Sequence, residues 1–236
     1  MTKVAVVSLS GNVGKSTVAK HLLMPRMPGA EFFAIESINA DEGSDSILRG
    51  EQFGQLQEEL MMLDAAVVDV GASNIESFAN LMLQYRGSHE EFDLFVIPTV
   101  KDSKQIKDTI STIDTLRKMG VPAKKIVVVF NKLLSTETVE EEFFGLIQYH
   151  EANKSFMLRK NATLDYSELY HMLRTNNITI PELLADATDY KLKMREAKEK
   201  GDDVEKFRCM SMVSMRRLSL SANENLDAVF AEIMKK

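Results

Sequence analysis

Lys3-Val-Ala-Val-Val-Ser-Leu-Ser-Gly-Asn-Val-Gly-Lys-Ser-Thr17 runs from a short apolar, β-rich stretch straight into a loop and the start of a helix. A loop that wraps a triphosphate must bring several backbone N–H groups close to oxygen atoms, which small or φ-tolerant residues such as Gly11, Asn12 and Gly14 permit. On this reading Gly11, Asn12, Val13, Gly14, Lys15, Ser16 and Thr17 cradle the phosphates of ATP. Lys15 reaches the β- and γ-phosphates and Ser16 places its hydroxyl on Mg²⁺. The helix that begins there adds the positive end of its dipole. Leu9 stands five residues before Gly14, where such loops usually carry glycine. The alternative is an ordinary strand–turn–helix with a solvated lysine.

Two constellations downstream fit the same chemistry. Asp64-Ala-Ala-Val-Val-Asp69 ends a buried strand on a carboxylate, where a phosphate-bound Mg²⁺ needs an acidic ligand, directly or through water. Asp69 is thus the second metal candidate, against the plainer reading of a helix cap. Val-Phe130-Asn131-Lys132 ends another strand on an amide whose donor and acceptor can pair with the edge of a base. Asn131 as a turn former is the alternative there.

Around these positions apolar runs alternate with helical patterns. Strands are expected at Val4–Ser8, Phe32–Ile35, Ala65–Asp69, Phe92–Pro98 and Lys125–Phe130, and helices over Ser16–Leu23, stopped by Pro25, and near Glu51–Leu63. Ile106, Ile110, Ile113 and Leu116 repeat at helical spacing. Continuous apolar strands separated by amphipathic helices imply an α/β fold, a mostly parallel sheet covered on both faces. Beyond Phe130 the pattern becomes mainly helical. Thr138-Val-Glu-Glu141, Thr179-Ile-Pro-Glu182 and Ser221-Ala-Asn-Glu224 each read as a helix start, the last opening a terminal helix with Leu226, Val229, Phe230 and Ile233 inward. Residues 150–215 read as helical and packed on the sheet.

The 236 residues, 44% of them hydrophobic, suffice for one domain, with residues 1–135 as the nucleotide-binding core and 136–236 as a mainly helical C-terminal part. No segment has the length and apolarity of a membrane span, and a cytoplasmic protein is expected. The single Cys209 excludes an internal disulfide, and His21, His89, His150 and His171 show no metal-ligand spacing. A net charge of −6 argues against a uniformly basic nucleic-acid coat. Charge is uneven, however: Tyr190 to Arg217 carries nine Lys/Arg against five Asp/Glu, net +4, which leaves −10 for the rest. Residues 190–217 are therefore the candidate anion-facing patch, or a solvated helical face.

Taken in order, Gly-Asn-Val-Gly-Lys-Ser-Thr17, Phe-Ala-Ile-Glu36, Asp64-x-x-Val-Val-Asp69, Asp93-x-x-x-Ile-Pro98 and Val-Phe-Asn131 resemble the ParA/MinD group of P-loop ATPases over residues 3–135. Val68-Asp-Val-Gly-Ala-Ser73, Ile180-Pro-Glu-Leu-Leu-Ala-Asp186 and Arg216-Arg217 ahead of Asn225-Leu-Asp-Ala-Val are similar to the plasmid stability and conjugative-transfer ATPases called StbB and TraL. The resemblance implies a P-loop NTPase fold, ATP or ADP with Mg²⁺ as ligands, and a DNA-bound adaptor protein, with plasmid DNA behind it, as partner. It also implies a lysine near the start of the loop that reaches the partner protomer's nucleotide; its place is taken by Ser10, which puts an ATP-sandwiched dimer in doubt. The family's water-positioning acids at the end of the second strand are matched here by Glu36, with Asp41 and Glu42 close behind.

These readings imply slow ATP hydrolysis, with Lys15, Glu36 and Asp69 as the catalytic set, and a protein in which ATP serves chiefly as a switch. Two other classes stay open: a nucleotide-binding regulatory module without hydrolysis, and a small-molecule P-loop kinase, for which no arginine-rich lid is evident.

Overall fold

The computed structural model describes residues 2–35 and 49–235. Six strands form one sheet: β1 (Thr2–Val6), β2 (Glu31–Ala34), β3 (Ala65–Asp69), β4 (Leu94–Thr99), β5 (Ile126–Leu133) and β6 (Thr163–Asp165). Their order across the sheet is β2-β3-β1-β4-β5-β6, and every pairing is parallel. Parallel pairing sends every carboxyl end to the same edge. The chain leaves β1 first toward β3 and β2, then returns to its other side at β4, and ligands of such sheets bind where that reversal opens a crevice.

Side chains alternate faces along a strand, and the core divides accordingly. Val4, Val6, Val96, Val127 and Val129 belong to one buried cluster, whereas Ala5, Val7, Ile97, Val128 and Phe130 belong to the other. The second cluster is closed by α2 (Gly50–Met62), α3 (Ile75–Gln84), α4 (Ser103–Lys118) and the pair α5 (Val139–Glu142) and α6 (Phe144–Asn153). The first is closed by α1, a helical run made of Lys15–Thr17, a π-helical stretch Val18–Leu23 and a 3₁₀ turn Met24–Arg26, together with α7 (Leu169–Asn176), α8 (Ile180–Ala185), α9 (Tyr190–Glu199) and α10 (Asp203–Ile233). The expected architecture, a parallel sheet with helices on both faces, is what forms.

Several expectations need correction. Pro25 does not stop α1 at Leu23: it sits at the first turn of the 3₁₀ segment, where a missing N–H costs little, and the helical run continues to Arg26. No helix begins at Ser221. The terminal helix is one 31-residue rod from Asp203, capped by the Asp202 carboxylate, which accepts from the Glu205 N–H at 2.9 Å. Ser221 lies inside it, on its exposed side, and the Ser-x-x-Glu spacing there is coincidental because the apolar stripe through Met212, Met215 and Ala222 continues without a break. The Thr138 and Thr179 starts do occur, each side chain accepting from the backbone three residues on. The helix after Thr138 breaks at Phe143, whose ring turns wholly inward against Phe130, with centroids 4.8 Å apart. Finally, β6 occupies part of the stretch expected to be helical.

The C-terminal rod is fastened to the helix that follows the loop. Arg26 pairs with Asp227 at 2.7 Å and donates to the Asn223 side-chain oxygen at 2.8 Å.

Candidate nucleotide site

Loop 7–14 leaves β1 at the carboxyl edge and turns into α1 through two left-handed residues, Asn12 (φ 59°) and Gly14 (φ 97°). Glycine is required at 14 on two counts. Its φ is one that L side chains rarely adopt, and a Cβ there would lie 2.1 Å from Asn131 Nδ2. Asn131 is buried, and its amide donates to the Val13 carbonyl at 2.8 Å while its side-chain oxygen accepts from the Lys132 N–H at 2.8 Å. The donor and acceptor expected to face a base are thus both engaged within the chain, and Asn131 braces the loop against the end of β5.

Lys15 Nζ donates to the Ser10 carbonyl at 2.8 Å, so the lysine arches back over its own loop. Ser16 is exposed, its hydroxyl open to solvent at the helix start. Asp69 pairs with Val6 in the β1–β3 register and is buried at the same edge, directly beside the strand that feeds the loop. Lys15 and Ser16, expected to act with Asp69 on a metal-bound triphosphate, open the helix that follows β1, and Asp69 ends the neighbouring strand β3 at the same edge of the sheet. Glu36, together with Asp41 and Glu42, lies outside the described residues.

The front of the loop is tied to α4, which the sequence did not suggest. Leu9 N–H donates to Thr112 Oγ1 at 3.1 Å, and the Ser10 hydroxyl donates to the Asp108 carboxylate. Thr112 and Asp108 lie four apart on one helix, and the one available signal was a threonine among the apolar positions of that face. Ser10 is buried by this arrangement and points into the protein rather than out of it. Light scattering with and without a non-hydrolysable ATP analogue should accordingly show no nucleotide-triggered doubling of mass; a shift from monomer to dimer would show that another cation has taken the missing lysine's place. Lys132, left-handed at φ 62° and exposed beside the loop with its ammonium 3.3 Å from the Asn12 carbonyl, is one such cation.

Beside the cradle, on the α1 side of the sheet, a cavity of about 760 Å³ opens between Ser16 and Thr17, the end of β5, and the segment that follows β6. Its wall carries Asp165, Tyr166 and Tyr170, which the sequence reading did not single out, and His21, which it considered only as a metal ligand. Burial holds the Tyr170 hydroxyl up at about 12, and burial with nearby Lys20 holds His21 below the ordinary histidine value. The His21 ring lies 5.6 Å from that of Tyr170.

The fold is shared with solved proteins. Apo McdA from Cyanothece superposes with a TM-score of 0.51 at 16% identity, over 78% of this chain and 93% of that one. The fold is that of the P-loop NTPases. The MinD cell division protein of Aquifex aeolicus gives 0.51 at 14% identity over 92% and 97% of the two chains. A putative plasmid partition protein from Borrelia burgdorferi, bound to AMPPNP, gives 0.50 at 13% over 98% of each. No family model matches the chain, and no curated sequence does. At these identities the likeness establishes the fold, and what the site does rests on its own geometry.

Residues 190–217 form α9, the turn at Gly201 and the first half of α10, and the structure divides their cations. Arg216 is spent internally: it donates to the Thr188 and Asp186 carbonyls, pairs with the Asp186 carboxylate at 3.4 Å and stacks over Tyr190. Arg208 pairs with Glu205, and Lys206 with Asp203. Lys191, Arg195, Lys198, Lys200 and Arg217 make no ion pair among the described residues. Among the described residues no helix is long and apolar enough to cross a membrane.

Proposed function

We propose that the chain binds Mg-ATP through residues 11–17 and acts as a slow, nucleotide-operated switch in plasmid stability, partition or conjugative DNA transfer, in the manner of StbB and TraL. The observation that carries the nucleotide half is the cradle itself. Gly14 is left-handed and packed so tightly on Asn131 that no side chain fits, at the head of a helix whose first hydroxyl, Ser16, is exposed. A loop of this shape ahead of a helix N-terminus is suited to presenting backbone N–H groups to an anion.

Ser16 and Asp69 are the residues that would hold Mg²⁺, which supplies charge neutralisation at the phosphates when bound. Lys15 would leave the Ser10 carbonyl for the β/γ-phosphates, exchanging a neutral acceptor for a charged one. Glu36, which the resemblance matches to the family's water-positioning acids, would orient water. Asn131 is a positioning residue in this scheme, holding Val13 in place. With Ser10 turned inward there is no second protomer's lysine to stabilise charge, so ATP acts chiefly by favouring one of two conformations. The same absence supports a regulatory module that binds without hydrolysing as the second reading.

We assign the chain to the cytoplasm, with one domain whose nucleotide core is residues 1–135. The partner is an adaptor protein on DNA, with the unpaired cations of 190–217 as the surface through which DNA or that adaptor is met. The test is a magnesium titration of ATP binding and turnover, with and without DNA. Asp69→Ala should lose the magnesium dependence while its affinity for metal-free nucleotide stays within a few fold of wild type. An unaltered magnesium curve in that variant would make Asp69 structural and remove the metal site from the proposal.

A further inference from the structure

The outer face of α10 carries an apolar stripe that no described residue covers. Val204, Phe207, Ser211, Ser214 and Leu218 follow one another at intervals of three and four, which puts them on one face of the helix, with Met210 at its margin. Cys209, Met212 and Met215 lie inward in the cluster on that side of the sheet, whereas Val204 is 82% and Phe207 61% exposed, and Met210 and Leu218 are exposed too. Single exposed apolar side chains are ordinary on a protein surface, but several in line along one helix mark a place of contact. At the usual rise of a helix the stripe runs about 21 Å from Val204 to Leu218. Its middle is low, because the two serines there are short, and Phe207 and Leu218 stand up on either side of them.

The charge around the stripe is one-sided. Lys191, Arg195, Lys198, Lys200 and Arg217 make no ion pair among the described residues, and the Lys206 ammonium lies 4.9 Å from the centre of the Phe207 ring. Of the five acids in 190–217, Asp203 and Glu205 are paired and the Asp202 carboxylate caps α10, which leaves Glu196 and Glu199 against those five cations. Deepening the reading of 190–217 as a contact surface, we propose that the α9–α10 hairpin docks an acidic amphipathic helix of a partner protein. Its apolar edge would lie over Ser211 and Ser214, between Phe207 and Leu218, with its carboxylates turned to the cations at the rim. Apolar residues spaced along one helical face receive such a helix, and opposite charge at the rim selects it. DNA would use the cations but leave Val204 and Phe207 in water. A bilayer calls for a broad, continuous apolar face, which the serines interrupt. A second copy of the chain, meeting the stripe with its own, would set five unpaired cations against five.

The experiment is fluorescence anisotropy of a labelled model peptide of about 18 residues, with leucine at heptad positions a and d and glutamate at e and g. Beside it run the same peptide with lysine at e and g, a duplex DNA oligonucleotide, and co-sedimentation with phosphatidylglycerol vesicles. Wild type, F207S and the double variant R195E/R217E are compared, with a thermal melt and Mg-ATP binding of each as controls for folding and for the nucleotide site. Wild type should bind the glutamate peptide and not the lysine peptide, more weakly as salt rises. F207S should weaken that binding about tenfold or more, the usual effect of truncating an aromatic anchor at an interface. R195E/R217E should weaken it and flatten its salt dependence, and Mg-ATP affinity should be the same in all three. DNA bound equally by wild type and F207S, with neither peptide bound, would overturn the inference and leave 190–217 as a nucleic-acid surface. Vesicles bound in place of the peptide, a dimer that F207S dissolves, or equal binding of the two peptides would overturn it as well. Protein that binds none of these probes would remove the contact surface itself, while unchanged Mg-ATP binding would leave the nucleotide site standing.

Discussion

Lys15→Ala should weaken nucleotide binding by about 100-fold or more. Each hydrogen bond from a charged donor contributes about 1.5–3 kcal/mol, and an ammonium set among the β- and γ-phosphates makes more than one. Its side chain is half-buried and bonded to a loop carbonyl, so the loss should leave the melting transition nearly unmoved. Calorimetric titration of the folded variant with Mg-ATP is the measurement. Wild-type affinity in that variant would end the case for a phosphate cradle, because no other cation among the described residues stands at the head of α1 in the same way.

Gly14→Ala should be worse for the protein than for the ligand. A non-glycine residue in the left-handed region costs about 1–2 kcal/mol, and the new methyl would lie 2.1 Å from Asn131 Nδ2. To make room the buried amide must give up the Val13 carbonyl, at a further ~1–3 kcal/mol for a buried polar group left without its partner. A loss of about 3 kcal/mol in denaturant unfolding is expected, with a smaller loss in nucleotide affinity. Adding Asn131→Ala removes the clash but not the φ penalty, so the double variant should be more stable than the sum of the two single losses implies. Strict additivity would mean that the loop does not lean on Asn131.

The strands that carry the site were legible because buried parallel strands are short continuous apolar runs, and Val4–Val7, Ala65–Val68 and Ile126–Phe130 are such runs. The loop was legible for a different reason, since few sequences place Gly-x-x-Gly-Lys-Ser directly after one. What the sequence concealed was set by neighbours. Thr163–Asp165 is too short and too polar to look like a strand, and becomes one only because β5 offers it an open edge. The true start of α10 was hidden because Asp202 is one of several acids in a charged stretch, while Ser221 sits in a spacing that resembles a cap. Asn131 was noticed for the right property, an amide with both a donor and an acceptor, but which groups it meets depends on how far loop 7–14 folds across β5. Asp108 carried no pattern of its own, and Thr112 only its place among the apolar positions of α4; both matter through what the fold brings beside them.

The two bonds from Leu9 and Ser10 to α4 make the front of the loop a lever. When Lys15 rests on the Ser10 carbonyl, the lysine, the loop and α4 form one closed chain of contacts: ammonium to carbonyl, serine hydroxyl to Asp108, backbone to Thr112. Whatever draws the ammonium away opens that chain at a single link and lets α4 feel the change. α4 in turn holds α6 through the Tyr149 hydroxyl on Asp114. The α4–α6 face lies on the side of the sheet opposite the basic hairpin of α9 and α10, so that a displacement starting at the loop and the positive charge of the hairpin would be presented on two different faces.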